Sequence, residues 1–474
     1  MGIEQFLMMR YEILLIATAL ILLICSIIYK DERRSKIVPI AVTLFFINLI
    51  VGFLPIETGI MFGGMFRTTE LIIFFKNILN IGVFIVFLQS AGWLRKNHNE
   101  FHYPAEYFLI IISSLTGMQY MISSGDFLML FLGLELATIP VAALVASDIH
   151  KNKSAEGGVK LILSAALSSG ILLFGISILY ATTGTVYFDQ ILNLVTYDKL
   201  QILSFIFIFT GIAFKISIVP FHLWTADVYE GAPVNITSYL SVISKASAVL
   251  ILMIVLYRVF GQINLIWSAV IYVTAILTMT IGNLFAIRQK NLKRYLAFSS
   301  IAQAGFILLG VICGTSVGLS SVIYFLLIYI FSNLGAFGVV AIISNATGKE
   351  EMDDYNGLYK TNPKLSFVMM LSLFSLAGIP PVAGFFGKFF LFTAAAKQGY
   401  YLLVFIAVVN ATISLYYYLL IVKAMFINEN ENPIEKINSD LYAKAGLVLC
   451  VIGIVFIGFF GAIFDYINSI SLSL

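Results

Sequence analysis

The chain has 474 residues, of which 60% are hydrophobic and only 11% are charged, and its mean hydropathy is +0.98. A soluble globular protein is about 45–50% apolar and about 25% charged, so this composition excludes a soluble fold. We therefore expect an all-α polytopic membrane protein that contacts the lipid bilayer and binds no nucleic acid.

A bilayer crossing needs about 20 apolar residues, and runs of this kind predict fourteen spans. In chain order the spans are 11–29, 37–54, 71–93, 105–122, 126–147, 156–181, 200–219, 235–257, 265–287, 295–314, 318–343, 365–396, 399–422 and 443–464. The N-terminal residues lack the pattern of a cleavable signal peptide, so the first run is expected to remain as a span. The longest connections, 344–364 and 423–442, leave no room for a soluble domain.

The distribution of basic residues tests this topology, because lysine and arginine accumulate in cytoplasmic loops. Eighteen of the 28 basic residues fall in the odd-numbered loops, and only five fall in the even-numbered loops and the N-terminus. This bias predicts that both termini lie on the outer, periplasmic-type side of the membrane.

Cofactor motifs are missing from the sequence. The three cysteines lie far apart inside apolar runs, at Cys25, Cys313 and Cys450, which excludes a CxxC pair or an iron–sulfur cluster motif. The four histidines all lie near predicted loops, at His98, His102, His150 and His222, so paired ligands for a membrane haem are not expected. Walker and Rossmann motifs are also missing, and we expect no cofactor in this chain.

Six charged residues lie at least four residues from either end of a predicted span, and a charge near the bilayer centre costs about 2.5–3.5 kcal/mol on insertion scales. They are one glutamate and five lysines: Glu135, Lys76, Lys160, Lys215, Lys245 and Lys388. Charges at this depth usually face the bundle interior, pair with one another and mark ion or proton routes. We expect one of the lysines to neutralise Glu135.

These six residues differ in how far they lie from the ends of their spans. Lys76 lies close to the end of its span and is expected to snorkel to the surface. Lys160 lies close to the cytoplasmic end, so snorkelling and a functional role both stay open. Lys215 precedes a helix break by a few residues, Glu135 is central, and Lys245 is central among small residues that allow close helix packing.

Prolines interrupt two spans. The seventh apolar run, 200–219, meets Pro220 directly at its end, and the twelfth contains the sequence Gly378-Ile-Pro-Pro381. Proline removes a helical N–H and clashes with the preceding turn, and broken backbone at membrane depth is tolerated only where protein or a water-filled cavity satisfies it. Each break therefore predicts a hydrated pocket, beside Lys215 in one span and beside Lys388 in the other.

The two breaks also indicate an internal duplication, because Pro220 and Pro380 are 160 residues apart, the length of five spans with their loops. Five is odd, so the repeat returns inverted, and we predict two inverted five-helix repeats, helices 4–8 and 9–13, with discontinuous helices 7 and 12. The expected parts are three N-terminal spans (1–104), the first repeat (105–260), the second repeat (261–426) and a C-terminal loop with the last span (427–474). The charges are unequal: the second repeat has Gln303 instead of an acid in its second helix, and Asn410 and Thr412 but no lysine in its fifth.

Several stretches resemble one family closely. Those around the breaks are Phe214-Lys-Ile-Ser-Ile-Val-Pro-Phe-His-Leu-Trp-Thr-Ala-Asp-Val-Tyr-Glu-Gly-Ala-Pro233 and Ala377-Gly-Ile-Pro-Pro-Val-Ala-Gly-Phe-Phe-Gly-Lys388, and the supporting ones are Gly133–Leu136, Gln289–Gly305 and Ile413–Tyr418. They are similar to the antiporter-like subunit N (mitochondrial subunit 2) of proton-pumping NADH–quinone oxidoreductase, respiratory complex I. The resemblance covers 125–425, and the wording of Val228–Pro233 favours subunit N over its paralogues L and M and over multi-subunit sodium/proton antiporters.

The resemblance implies roles for single residues. The proton-transfer residues that it implies are Glu135, Lys160, Lys215, Lys245 and Lys388, which match the family's helix-5 glutamate and its lysines in helices 6, 7, 8 and 12. Loading of Lys215 from the cytoplasm, lateral transfer through Lys245 and outward release from Lys388 are expected. Gln303 stands where many relatives have histidine, so a histidine relay is not expected there.

The resemblance also implies that the redox chemistry takes place elsewhere. NAD, FMN, iron–sulfur clusters and quinone are expected in other subunits, and other membrane subunits, including neighbouring antiporter-like ones, are expected as partners in a bacterial cell inner membrane. Three alternatives stay open. The electron donor could be ferredoxin or coenzyme F420, the chain could be an independent Na⁺/H⁺ or K⁺/H⁺ antiporter, or it could be a structural subunit whose charges only fix helix packing.

Overall fold

The structure, a computed structural model, describes residues 6–29, 36–96, 104–148 and 150–471 and is almost entirely α-helical. Its helices, labelled to follow the predicted spans, are α1 (Arg10–Ile28), α2 (Ile37–Gly52), α3 (Glu70–Lys96), α4 (Pro104–Ile122), α5 (Phe127–Val145), α6 (Asn152–Thr183), α7a (Lys199–Ile216), α7b (Leu223–Gly231), α8 (Val234–Arg258), α9 (Asn264–Ala286), α10 (Leu292–Val311), α11 (Ser316–Thr347), α12a (Pro363–Ala377), α12b (Ala383–Lys397), α13 (Tyr401–Phe426), α14 (Leu441–Phe459) and α15 (Ala462–Ile470). The strands β1 (Gly59–Met61) and β2 (Phe66–Thr68) form an antiparallel hairpin between α2 and α3. Two short helices, Phe188–Leu192 and Leu358–Thr361, lie in loops.

The helices agree with the predicted spans. Within the described ranges, twelve are long and apolar enough to cross a membrane. The other two predicted spans correspond to α2, which has 16 residues, and to the divided helix α12a–α12b, so the all-α polytopic fold is confirmed. Some of the residues on which the loop-charge and histidine predictions depend lie outside the described ranges. They are Lys30, Arg33, Arg34, His98 and His102.

The last predicted span ends earlier than expected. α14 ends at Phe459, and a separate helix, α15, begins after Gly461. Phe464 of α15 stacks on Phe390 of α12b with ring centroids 3.9 Å apart, while Tyr466 remains exposed. The apolar run 443–464 did not reveal this division because α15 buries only one of its sides and its apolar residues continue those of α14.

Both predicted breaks are present and are built alike. α7a is followed by Ser217 and α12a by Gly378, each in the left-handed conformation, at φ 69° and 86°. At each break the N–H group of the left-handed residue and that of the residue after it donate to carbonyls in the last turn of the helix, which is the pattern of a Schellman cap. Because the caps align Ser217 with Gly378, the equivalent of Pro220 is Pro381. The pairing of Pro220 with Pro380 is therefore wrong by one residue.

The centre of the bundle consists of α8, α10 and α11, which are buried along all or nearly all of their length. α1, α6 and α13 instead expose most of their apolar residues. α8 contains a π-helical turn over Leu240–Ser244, directly before Lys245, and such turns occur often at functional sites. Lys245 therefore lies in the most buried part of the fold.

Candidate functional site: buried lysines at two broken helices

Lys215 lies in the last turn of α7a, directly before the first break, and its side chain is buried. Its ammonium group donates to Thr138 Oγ1 at 2.5 Å and to the carbonyl of Ala137 at 3.5 Å, both on α5. The helix dipole favours a cation in the last turn of a helix. The break therefore supplies a half-helix end that stabilises a buried positive charge.

Glu135 lies about one helical turn before Thr138 on α5 and is half-buried. Its Oε1 atom is buried and has no hydrogen-bond partner in the described ranges, and no ion pair found there includes this carboxylate. Lys215 attracts the carboxylate without direct contact. Glu135 therefore forms no direct ion pair within the described ranges, where Thr138 and Ala137 bind the ammonium group of Lys215, and its neutralisation by a lysine stays a prediction.

Lys245 follows the π-helical turn of α8 and is buried. It donates a short hydrogen bond to Ser300 Oγ on α10, and its Nζ atom lies 5.6 Å from the ring centroid of Tyr229 on α7b, within cation–π range. No ion pair within the described part of the chain includes Lys245. A proton can therefore join or leave this lysine without breaking a buried ion pair.

Lys388 lies on α12b, after the second break, and is buried. Its ammonium group donates to the carbonyl of Ala377, the last residue of α12a, at 3.0 Å, and lies 4.6 Å from the ring centroid of Phe306. Lys215 precedes its break, whereas Lys388 follows its own. Both ammonium groups nevertheless lie at the C-terminal end of a half-helix, where backbone carbonyls favour a cation.

α10 connects the surroundings of Lys245 with those of Lys388. Ser300 accepts the hydrogen bond of Lys245. Gln303, about one turn further along α10, donates to the carbonyl of Leu376 at 3.0 Å, and this carbonyl is next to the one that binds Lys388. Ser300 and Gln303 on one side of α10 therefore place polar groups beside both lysines, while no hydrogen bond in the described ranges joins these two side chains to each other.

Further polar groups surround these two side chains. Gln303 also donates to the hydroxyl of Tyr418 at 3.1 Å, and Tyr418 shares a 2.5 Å hydrogen bond with Ser299. Thr138, Ser300 and Tyr418 were not predicted from the sequence to be site residues. Ser300 and Tyr418 lie in stretches that carry the family resemblance, whereas Thr138 does not. The resemblance could therefore have indicated these two residues, which are uncharged and do not stand out as buried charges.

Lys160 lies apart from these residues. Its side chain is 40% exposed and forms ion pairs with Glu156 and Asp227, each at 2.6 Å. Asp227 also binds Arg294 at 2.7 Å, and Arg294 binds Glu230 at 2.9 Å. This network connects α6, α7b and α10, and no hydrogen bond within the described ranges links Lys160 to the buried lysines.

Lys76 does not snorkel to the surface, and this expectation is wrong. Lys76 is completely buried and forms a 2.5 Å ion pair with the equally buried Glu12 of α1. The ring centroids of Phe66 and Tyr11 lie 5.0 and 5.6 Å from its Nζ atom. The sequence alone shows no partner for Lys76, whereas the fold places the carboxylate of Glu12 against its ammonium group. Because the buried charge is compensated there, the side chain does not need to extend to water.

A cavity of about 400 Å³ opens at one end of the bundle, which we call the basic end. Its lining includes Ser147, Asp148 and Lys151, together with Ser344 at the end of α11 and Gly348 directly after that helix. Lys293 and Glu350 line the cavity and pair at 3.1 Å. Asn235, in the first turn of α8, lines it as well. A cavity of this size with charged walls can hold water, so water can reach the beginning of α8.

Comparisons with known proteins agree on one family. The family model described as "NADH:quinone oxidoreductase/Mrp antiporter, TM" matches residues 124–414. "NADH-quinone oxidoreductase subunit N" of Phocaeicola vulgatus is 50% identical over 469 residues, 99% of each chain, and the subunit of the same name from Azobacteroides pseudotrichonymphae is 50% identical over 476 residues, again 99% of each chain. A chain of respiratory complex I from Thermus thermophilus with bound aureothin has a TM-score of 0.78 and 25% identity, over 94% of this chain and 96% of that one.

Proposed function

Because the chain belongs to the family of NADH-quinone oxidoreductase subunit N, we propose that its buried lysines carry protons across the membrane within such a complex. The chain is a multi-pass integral membrane protein of the antiporter-like type. In this role it has no redox chemistry of its own. NAD, FMN, iron–sulfur clusters and quinone bind to other subunits, where electrons pass from NADH to quinone.

The observation that carries the proposal is the presence of polar groups of α10 beside both Lys245 and Lys388. Both lysines are buried, and both are held by neutral groups in the described structure. A buried lysine prefers its neutral form unless a negative group or strong acceptors compensate its charge, so such a lysine can accept a proton and pass it on. Ser300 and Gln303 lie between the two lysines, and water bridges the remaining distance.

Lys215 and Glu135 supply the control of this transfer. A carboxylate favours the charged form of a nearby lysine, and its withdrawal favours the neutral form. A change in the spacing between α5 and α7a would therefore change whether Lys215 holds a proton. Moving one charge against 100 mV costs about 2.3 kcal/mol, and the quinone chemistry of other subunits supplies this energy. Lys160, in its exposed network, would serve at the surface end of the route.

The loop charges support the proposed orientation. The excess of basic residues in odd-numbered loops favours an outer position for both termini, and membership of the subunit N family favours a bacterial cell inner membrane as the location. The cavity at the basic end then faces the cytoplasm. Other membrane subunits, including neighbouring antiporter-like ones, would cover part of the apolar surface of α1, α6 and α13.

Replacement of Lys245 by methionine tests the proposed function in the purified whole complex, reconstituted into liposomes. We expect Lys245→Met to lower the number of protons moved per electron, because the substituted side chain cannot bind a proton. The matched control is Lys397→Met, which removes an exposed lysine from the end of α12b. An unchanged proton-to-electron ratio in assembled Lys245→Met complexes would reject the proposal, and the same measurement on Lys215→Ala and Glu135→Ala tests the controlling pair.

A second candidate function is an independent cation/proton antiporter, favoured by the words "Mrp antiporter" in the description of the matching family. Transport by the single chain, purified and placed in liposomes with a Na⁺ or K⁺ gradient, would support it. Under the main proposal we expect no ion-dependent proton movement in that assay. A third reading, in which the charges only fix helix packing, predicts intact pumping after Lys245 and Lys388 are both replaced.

A further inference from the structure

One side of α8 is polar from the cavity at the basic end down to Lys245. Asn235, Ser238, Ser241 and Lys245 follow one another at intervals of three, three and four residues, which places them on the same side of a helix. All four side chains are buried. Ser241 lies within the π-helical turn Leu240–Ser244, and Lys245 follows this turn directly.

The cavity end of this series has an unused acceptor. Asn235 lines the cavity, and its Oδ1 atom is buried without a hydrogen-bond partner in the described ranges. A buried polar atom of this kind normally has a protein or water partner, and the adjacent cavity can supply water. Asn235 is therefore the point at which the aqueous cavity meets the interior of α8.

Hydroxyl groups continue the series inward. Ser238 Oγ donates to the carbonyl of Asn235 at 2.8 Å, and Ser241 Oγ donates to the carbonyl of Ser238 at 2.8 Å. Asn333 of α11 donates to Ser241 Oγ at 2.9 Å. Each serine oxygen retains lone-pair capacity for water or a passing proton, so acceptors are present at every turn between the cavity and Lys245.

Lys215 has different surroundings. Its hydrogen bonds within the described structure go to Thr138 and Ala137 of α5, and none of the residues that line the cavity is among its partners. The carbonyl of Ala137 also accepts from Ser114 of α4 at 2.7 Å. The contacts of Lys215 therefore lead to α5 and α4, and Ser114 in turn accepts a hydrogen bond from Tyr239 of α8 at 2.8 Å.

We infer that protons enter at the cavity and reach Lys245 directly along Asn235, Ser238 and Ser241, without passing through Lys215. The inference rests on the proposed function and names the intake route of the same site. In the intake step a hydronium ion in the cavity gives up a proton, so that one O–H bond breaks and water is left. Water and hydroxyl groups along α8 each accept one proton and release another, and the last proton forms an N–H bond with the free electron pair of the Lys245 amine. An N–H bond of the resulting ammonium ion breaks when a proton later leaves toward Ser300.

Two substitutions of nearly equal size test the intake route in the purified complex in liposomes. Asn235→Leu makes the cavity end apolar, and we expect it to lower the proton-to-electron ratio to the value of Lys245→Met. Asn235→Asp keeps a polar group that can exchange protons, and we expect it to retain the wild-type ratio. Loss in the leucine variant with retention in the aspartate variant is a pattern that a merely structural role of Asn235 would not produce.

A second variant covers the case in which Asn235→Leu fails to assemble. Ser238→Ala combined with Ser241→Ala removes two hydroxyls with little change in volume and should also lower the ratio to that of Lys245→Met. Its matched control is Ser247→Ala, since Ser247 is equally buried on α8 and makes the same kind of bond, to the carbonyl of Ser244 at 2.8 Å, but lies beyond Lys245. A wild-type ratio in the double serine variant overturns the intake route.

The outcomes separate this inference from the proposed function. If Lys245→Met itself leaves the ratio unchanged, the proposed function fails and the intake route fails with it. If Lys245→Met lowers the ratio while Asn235→Leu and the double serine variant do not, only the intake route is refuted. In that case protons reach Lys245 by another path, with Lys215 as the first candidate.

Discussion

Replacement of Lys76 by methionine should destabilise the chain strongly, because it leaves the carboxylate of Glu12 buried without its partner. Both side chains are fully buried, and the charged atoms are 2.5 Å apart. Removing one member of a buried ion pair costs about 3–5 kcal/mol, which corresponds to roughly a hundredfold to several-thousandfold change in an equilibrium constant. Replacing both members by apolar residues of similar volume is often neutral, so Lys76→Met combined with Glu12→Leu should recover most of the loss.

The assay is the fraction of complex that remains assembled after heating in detergent, resolved on a native gel. The control is Lys360→Met, since Lys360 and Glu429 form a 3.3 Å ion pair with both side chains mostly exposed, 69% and 88%. Pairs of that kind contribute about 0–1 kcal/mol, so this variant should behave as the wild type. Equal loss in Lys76→Met and Lys360→Met would refute the reasoning, and so would a double variant as unstable as the single one.

Two further substitutions probe the break in helix 12 and Ser300 on α10. At Gly378→Ala a Cβ atom would lie 3.0 Å from Cδ of Lys388 at a φ of 86°, and we expect a loss of about 1–3 kcal/mol, seen as a lower midpoint of thermal inactivation. Gly399→Ala separates the backbone strain from the contact with Lys388, because the φ of Gly399 is 84° but no atom lies within 4 Å of the added Cβ. Equal losses in both variants would show that the contact with Lys388 is unimportant. Ser300→Ala removes the hydroxyl that accepts the bond of Lys245, which should cost about 1–3 kcal/mol and lower the proton-to-electron ratio, and a wild-type ratio would exclude this serine from the transfer.

The sequence revealed the main architecture because hydrocarbon restricts what a spanning segment can be. Only helices satisfy all of their backbone groups within one segment, so apolar runs could be converted into spans with little ambiguity. Pro220 and the pair Pro380-Pro381 marked the two broken helices, because proline removes a helical N–H and the freed backbone groups must find partners inside the protein. The structure moved the equivalence of the two breaks by one residue, because the left-handed positions Ser217 and Gly378, and not the first proline of the pair, define it.

Contacts between distant side chains were not accessible to the same reasoning. Glu12 and Lys76 are separated by 64 positions, and Lys215 and Thr138 by 77. Periodicity and span depth predict which residues are buried, but they do not predict which sides of two helices face each other. The expected snorkelling of Lys76 was wrong because it was predicted from depth alone, without the partner that the fold supplies.

Apolar runs, prolines and charge placement by themselves predicted that the chain crosses a membrane many times, where two of its helices break, and that Lys215, Lys245 and Lys388 remain in the apolar interior. They could do so because the transfer of charge and unpaired backbone into hydrocarbon is costly at any position along a span. Helix packing alone decided how each lysine is held: Lys160 in an exposed network, Lys76 with Glu12, and Lys245 by the hydroxyl of Ser300. These arrangements depend on rotations of whole helices about their axes, which many interactions distributed along the chain set together.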